Sequence, residues 1–387
     1  MKNIKYLFLI LTLLMIISCG SSSESEEEVE PILTSIDITS SNGIELDLQG
    51  VKTTVLSVLG KDQFGNSIAI SGQVSWSVNN NTVNVHSNGA VEALIVGSAT
   101  ITALVENISM SIVITVVDSR PEPGTYIYVS DAGNFDTGPW KIIRYDEDGN
   151  NPQSFITENL AWPQDILFLE NENQVLISNL NTGVINRHNA ITGSFISVFA
   201  SGIAGPTRMK LGPDNLLYVL QWSGNGKVLR YQLDGTLVDE FTSVGVNQSI
   251  GLDWDKNNNL YVSSFQDANI RKFDTSGNDV GLFVTSSILG PTNIWFDNND
   301  NLFVNDWTGD KVVKYNSNGS FIENFISSGI DQPEGVEFLS NGHILIGSGG
   351  TKEVKVYDTN GNFVNNLFQP GAGGILRPNA IRVRIIH

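Results

Sequence analysis

From Gly124 onward the chain repeats itself, and a repeat of this length leaves few folds open. One unit runs Pro291-Thr-Asn-Ile-Trp-Phe-Asp297, Asn299-Asp-Asn301, Leu302-Phe-Val-Asn-Asp306, Lys311-Val-Val-Lys-Tyr315, Asn318-Gly319 and Phe321 to Phe325. Equivalent starts fall at Pro163, Pro206, Ser249, Pro291, Pro333 and Pro378, spaced by 43, 43, 42, 42 and 45 residues. Short apolar runs punctuated by Asn, Asp and Gly read as four strands, A to D, joined by tight turns. Four strands in about 43 residues make one blade of a β-propeller. Residues 126–156 supply strands B, C and D with no A before them, and residues 378–386 supply an A-type strand with nothing after it. One blade is therefore expected to be shared between these two segments. That gives six blades and a closed ring without open sheet edges.

The segment before the repeat has another style. Ile36 and Ile38 alternate with polar residues, Val55–Val58 and Val74–Val78 are strand-like, and Asp62 to Asn66 and Ser87-Asn88-Gly89 are turns. Several short strands in under 90 residues predict a β-sandwich over residues 32–118, with Trp76 as a core plug. The fold expected is all-β: a small Ig-like β-sandwich, then a six-bladed β-propeller over residues 124–387 with shared-terminus closure.

The N-terminus reads as an address. Lys2 and Lys5 precede an apolar run, Tyr6 to Ile17, too short to span a bilayer comfortably, and it ends in Ile16-Ile17-Ser18-Cys19-Gly20. This resembles the lipobox of bacterial lipoproteins, which implies a signal peptide over residues 1–19 and lipidation of Cys19. Residues 20–31, GSSSESEEEVEP, read as an acidic tether. An acidic run behind the lipid-bearing Cys resembles the surface-export signal of Bacteroidetes lipoproteins. It implies an outer-membrane protein held by lipid alone and displayed on the cell surface.

Two further resemblances follow from motifs. Asp62-x-x-Gly65, Val74-Ser-Trp-Ser77, Asn88-Gly89-x-Val91-x-Ala93 and Gly97-x-Ala99-Thr-Ile-Thr102 resemble the group 2 bacterial Ig-like domain (BIG2). In that family it often serves as a stalk or adhesion module. The repeat units resemble NHL repeats and the six-bladed propellers of the gluconolactonase, paraoxonase and streptogramin-lyase type. That likeness is specific for fold and weak for function, because such folds host binders and enzymes alike.

Composition excludes several classes. The formal charge is −19 and no basic run exists, so nucleic acid is not an expected partner. One cysteine rules out an intramolecular disulfide and a thiolate zinc cluster. The four histidines are His86 in the sandwich, His188 at the end of a C strand, His343 in an A–B turn and His387; none belongs with the D–A and B–C loops. No GxSxG, HExxH or P-loop pattern is present.

The D–A and B–C loops share one face of such a ring, here called the top. Trp140, Trp222, Phe265 and Trp307 fall in B–C loops and Trp162 in a D–A loop. Large aromatics in loops contribute little to a blade core. They suit sugar rings, peptides or other amphipathic ligands, or they cap the blade ends. Arg208 stands near the channel mouth and joins them as a candidate ligand-binding residue. In gluconolactonase-like relatives a divalent metal is held by Glu, Asn and Asp at the channel mouth. The resemblance implies Glu334, Asn379, Asp131 and Asp306 as oxygen ligands for calcium, although their blade order departs from that family's. A water-filled polar channel accounts for the same residues. The leading expectation is a surface-anchored recognition protein whose top face binds a glycan, a peptide or a partner protein. The alternatives are a metal-dependent hydrolase or lactonase of the gluconolactonase-like type, and a non-catalytic scaffold subunit of an envelope complex.

Overall fold

The structure is a computed structural model that describes residues 29–387. Cys19 and the tether up to residue 28 lie outside the described residues. Among the described residues, no helix is long and apolar enough to cross a membrane. Among the described residues strands dominate and three short 3-10 turns interrupt them. The chain divides into two compact units, one holding Thr53–Thr115 and the described residues up to Glu45, the other Leu46–Lys52 and Val116–His387.

In the first unit, Leu33–Ser40 pairs with Thr53–Asp62, which pairs with Ala90–Ala93, which pairs with Val83–Val85. A second sheet joins Ile108–Val117, Gly97–Val105 and Ser75–Val78. Along Thr53–Asp62 the residues Thr54, Leu56, Gly60 and Asp62 are buried between more exposed neighbours, the period of a strand with one covered face. Ile36 from the first sheet meets Ala103 and Val105 from the second, and half-buried Trp76 packs on that cluster. The hairpin glycine is forced: Gly89 has φ +82° and any Cβ there would collide with the Leu56 carbonyl.

The second unit contains six four-stranded antiparallel sheets. One orders Pro163–Leu169, Gln174–Asn179, Val184–Asn189 and Phe195–Ala200. The sheet that opens the series takes Gly124–Asp131, Lys141–Asp146 and Gln153–Ile156 from one end of the unit and Pro378–Ile386 from the other. Apolar clusters fill the gaps between successive sheets. Tyr128, Ile142 and Ile156 of the opening sheet meet Ile166, Val175 and Ile177 of the next. The last sheet returns to the first, where Leu345, Val354 and Val356 pack against Ile127, Val129, Ile143 and Tyr145. The recurring turn glycine belongs to the same packing. A Cβ on Gly277 would collide with the Phe241 carbonyl of the neighbouring sheet, and one on Gly149 with the Leu367 carbonyl where the ring closes.

Polar groups close the ring on the inside. Thr207 Oγ1 donates to the Ser249 carbonyl at 2.7 Å, Thr292 Oγ1 to Pro333 at 2.9 Å, and Asn379 Nδ2 to Pro163 at 3.2 Å. Each bond joins the innermost strand of one sheet to that of the next. Every such group is buried, so leaving it unpaired would cost about 1–3 kcal/mol. The architecture is propeller-like and nearly all-β. The strands differ in detail from the sequence reading. Val228-Leu-Arg-Tyr231 reads in sequence as one C strand, yet the strand observed is Leu229–Tyr231, and the Val228 amide donates to Thr242 Oγ1 at 3.0 Å.

Candidate functional site

One irregularity, repeated in every sheet of the second unit, builds the site. Just after the inner-strand start the register slips, as between Pro206 and Met209, Ser249 and Leu252, Pro291 and Ile294, and Pro333 and Val336. Such a bulge releases residues from the ladder and re-aims their side chains. Gln164, Ile250, Thr292 and Glu334 stand at these freed positions, and all four line one cavity of about 300 Å³.

Most of its remaining wall is aromatic, Phe135, Trp162, Trp222, Phe265 and Trp307, with Leu180 and Asp136 between them. The repeat itself positions three of them. The residue following each B strand donates its amide to the carbonyl of the residue preceding the A strand. Trp222 bonds Gly205 and Trp307 bonds Gly290, both at 2.8 Å, and Phe265 bonds Gln248 at 3.1 Å. The rings then meet in sequence, Trp222 to Phe265 at 5.8 Å and 42°, Phe265 to Trp307 at 5.9 Å and 70°. On another arc Phe135 and Trp162 lie 4.9 Å apart at 54°. Trp162 adopts φ +54°, a left-handed conformation that a bulky residue rarely takes and that Gly205 fills at the equivalent place in the next repeat. Gln248 and Gln332 take the same conformation at the equivalent places, so it belongs to the repeat.

Five candidate aromatics came from the sequence, and four of them converge. Trp140 does not. Its indole Nε1 donates to the Phe135 carbonyl at 2.8 Å, and Phe135 takes the place in the wall. Sequence reasoning also missed Leu180, which lines the cavity at the repeat position of Trp222, Phe265 and Trp307. That offset was the available signal.

Arg208 lies elsewhere than expected. It is 2% exposed, with Nη2 3.0 Å from Glu334 Oε1 and 3.1 Å from Asn379 Oδ1, and Nε 3.1 Å from Asn293 Oδ1. It lines a second cavity of about 440 Å³ with Asp165, Lys210, Glu337 and Arg382, and not the aromatic one. The Arg208–Glu334 pair therefore stands between the two cavities. Burial pushes the Glu334 carboxyl above its ordinary value, while Arg208 and Arg377 pull it back.

The four oxygen ligands suggested for calcium are not brought together. Asp131 and Asp306 each close the loop leading to an A strand. Asp306 Oδ1 accepts the amides of Leu289 at 3.0 Å and Gly290 at 2.7 Å, and Asp131 Oδ1 accepts Gly133 at 2.9 Å and Arg377 at 2.8 Å. Asn179 does the same for Ala161 at 2.9 Å, so this is a role of the repeat. Glu334 and Asn379 share Arg208. Among the described residues no group of three or more His, Cys, Asp or Glu side chains is arranged to hold a metal.

The fold and this cup define a propeller-like protein with an aromatic-walled cavity. No family model matches the chain, and no curated protein matches it. Solved structures do. A chain of a nidogen/laminin complex superposes with a TM-score of 0.55 at 15% identity, covering 67% of this chain and 98% of that one. A protein of unknown function from Bacteroides caccae gives 0.55 at 15%, covering 69% and 100%. Virginiamycin B lyase from Staphylococcus aureus gives 0.46 at 14%, covering 81% and 89%. At such identities the first two likenesses speak to fold alone, and the third is too distant to carry an argument.

Proposed function

We propose that this protein is a surface-anchored recognition lipoprotein. Cys19 carries the lipid, the acidic segment is a tether, and the first unit is an Ig-like stalk of the BIG2 type. The second unit is a closed six-bladed β-propeller of the NHL-like kind, and it binds its ligand in the aromatic cup. The observation that carries the reading is the convergence of Trp162, Trp222, Phe265 and Trp307 from four different sheets on one cavity. A blade core does not need them, because the inter-sheet clusters are built mostly from strand residues and include none of these four rings. Flat rings set around an opening provide apolar area with little conformational freedom to lose on binding. The cup has no histidine in its lining, and of its two acids Glu334 is tied to Arg208, which favours recognition over turnover.

Two measurements test this reading. Metabolic labelling with a fatty acid should mark the wild type and not Cys19→Ala; labelling of the variant contradicts the anchor. Array screening against glycans and peptides should yield ligands that Trp307→Ala fails to retain; ligands held equally by that variant contradict the cup.

A further inference from the structure

We infer that the aromatic cup selects a cation, namely the trimethylammonium or similar alkylammonium group of a small ligand. The inference rests on the cup being a recognition site and goes further by naming what it recognises.

Ring geometry comes first. A platform for a sugar presents one or two rings edge to edge in a common plane. Here neighbouring rings are inclined at 42°, 70° and 54°. Inclined rings set around one opening present faces at several angles rather than one flat surface. Aromatic faces carry negative potential, and several faces around one point attract a cation, most strongly one whose weak hydration makes it easy to desolvate.

Charge comes second. The titratable side chains lining the cup are Asp136 and Glu334, both acids. Asp136 is exposed at the rim. Glu334 gives Oε1 to Arg208, while Oε2 takes no hydrogen bond among the described residues. The nearby guanidiniums are engaged outside the lining or with Glu334 itself, although Arg208 Nη1 and Arg377 Nε have no hydrogen-bond partner. Arg208 is held by Glu334, Asn379 and Asn293, and Arg377 lies 4.3 Å over the ring of Phe135 and bonds Gln332. Neither lines the cup. Arg377 on Phe135 also shows one ring of this wall already engaging a cation.

Size comes third. A cavity of about 300 Å³ lies at the lower limit for small-ligand pockets. It suits a head group and not several sugar residues. Thr292 already spends its hydroxyl on the Pro333 carbonyl, which leaves Gln164, Asp136 and Glu334 Oε2 as the polar partners in the lining. Choline and the side chain of trimethylated lysine share the chemistry required, and the probes below separate them.

The test is titration of the purified protein, followed by tryptophan fluorescence and calorimetry. The probes are tetramethylammonium, choline, Nε-trimethyl-lysine, the uncharged carbon isostere of choline, and glucose, galactose and N-acetylglucosamine. Saturable binding of the ammonium compounds is expected, with the uncharged isostere weaker by about tenfold or more. The tighter of choline and trimethyl-lysine identifies the source. Asp136→Asn, an exposed change that leaves the fold alone, should weaken the ammonium probes and not the isostere. The inference is overturned if the isostere binds as tightly as choline, or if only the sugars saturate; the recognition site then stands with another ligand. Absence of saturable binding by every probe overturns the cation and counts against the cup as a small-ligand site, whereas array ligands lost in Trp307→Ala would still uphold recognition.

Discussion

Arg208 Nη2 lies 3.0 Å from Glu334 Oε1, a buried ion pair between innermost strands of two non-neighbouring sheets. The same guanidinium reaches Asn293 and Asn379, so one side chain ties its own strand to three others across the channel. Removing one partner of a buried pair leaves the other charge uncompensated, which costs more than replacing both. Arg208→Met should lower unfolding free energy by about 3–5 kcal/mol in urea denaturation, and Arg208→Met with Glu334→Leu should recover most of the loss. Equal losses in the single and double variants would show that the pair does not matter as a pair.

The strand Pro378–Ile386 is the innermost strand of the sheet that opens with Gly124–Asp131. Deleting residues from Pro378 onward uncovers Ile127 and Val129, removes Asn379 from Pro163, and leaves a long edge unpaired. The truncated protein should aggregate or melt well below the full chain. A calorimetric trace matching the full chain would show that closure does not depend on this strand.

Asp306 accepts the amides of Leu289, Gly290 and Gly309, and Trp307 in turn donates its own amide to Gly290. Asp306→Ala leaves those amides, the buried one of Gly290 among them, without this acceptor. It should cost about 1–3 kcal/mol and loosen the Trp307 wall, so ligand affinity falls together with stability. Asp306→Asn keeps one acceptor oxygen and should lose less on both counts. Chemical denaturation and ligand titration of the pair provide the check.

His188 is fully buried, its Nδ1 3.0 Å from the Gly193 carbonyl and its Nε2 without a partner. Burial holds the imidazole below its ordinary value of 6.5. The unfolded chain therefore takes up a proton first as the pH falls. The neutral ring's contribution is complete above the unfolded value of 6.5 and is lost as the pH drops from there toward the folded value. His188→Phe should flatten the decline in melting temperature between about pH 7 and about pH 5. Identical slopes for the two proteins would show that His188 does not titrate on unfolding.

Much of the fold could be read from spacing, because a strand that must line a ring reappears at a fixed interval. The starts at Pro163, Pro206, Ser249, Pro291, Pro333 and Pro378 are the first residues of the six innermost strands. The cup was legible where it shares that interval, as at Trp222, Phe265 and Trp307. It was not legible in the loop from Ala132 to Trp140, which has its own 3-10 turn at Phe135–Thr137 and sends the Trp140 indole back to its own backbone. The acids were the hardest to assign. Asp131, Asp306 and Glu334 look alike in sequence, yet the first two accept loop amides and the third faces a guanidinium. That choice depends on which backbone groups a loop leaves unpaired, and no periodic pattern records it.

The central claim is that the aromatic cup is there to bind and not to hold the ring together. The most direct measurement is a thermal melt of Trp222→Ala/Trp307→Ala alongside its titration with the best ligand found for the wild type. Strand residues make most of the inter-sheet clusters, so the double variant should melt within a few degrees of the wild type while its affinity falls by about tenfold or more. A variant that melts far below the wild type and keeps its affinity would make these rings structural caps and move the site elsewhere.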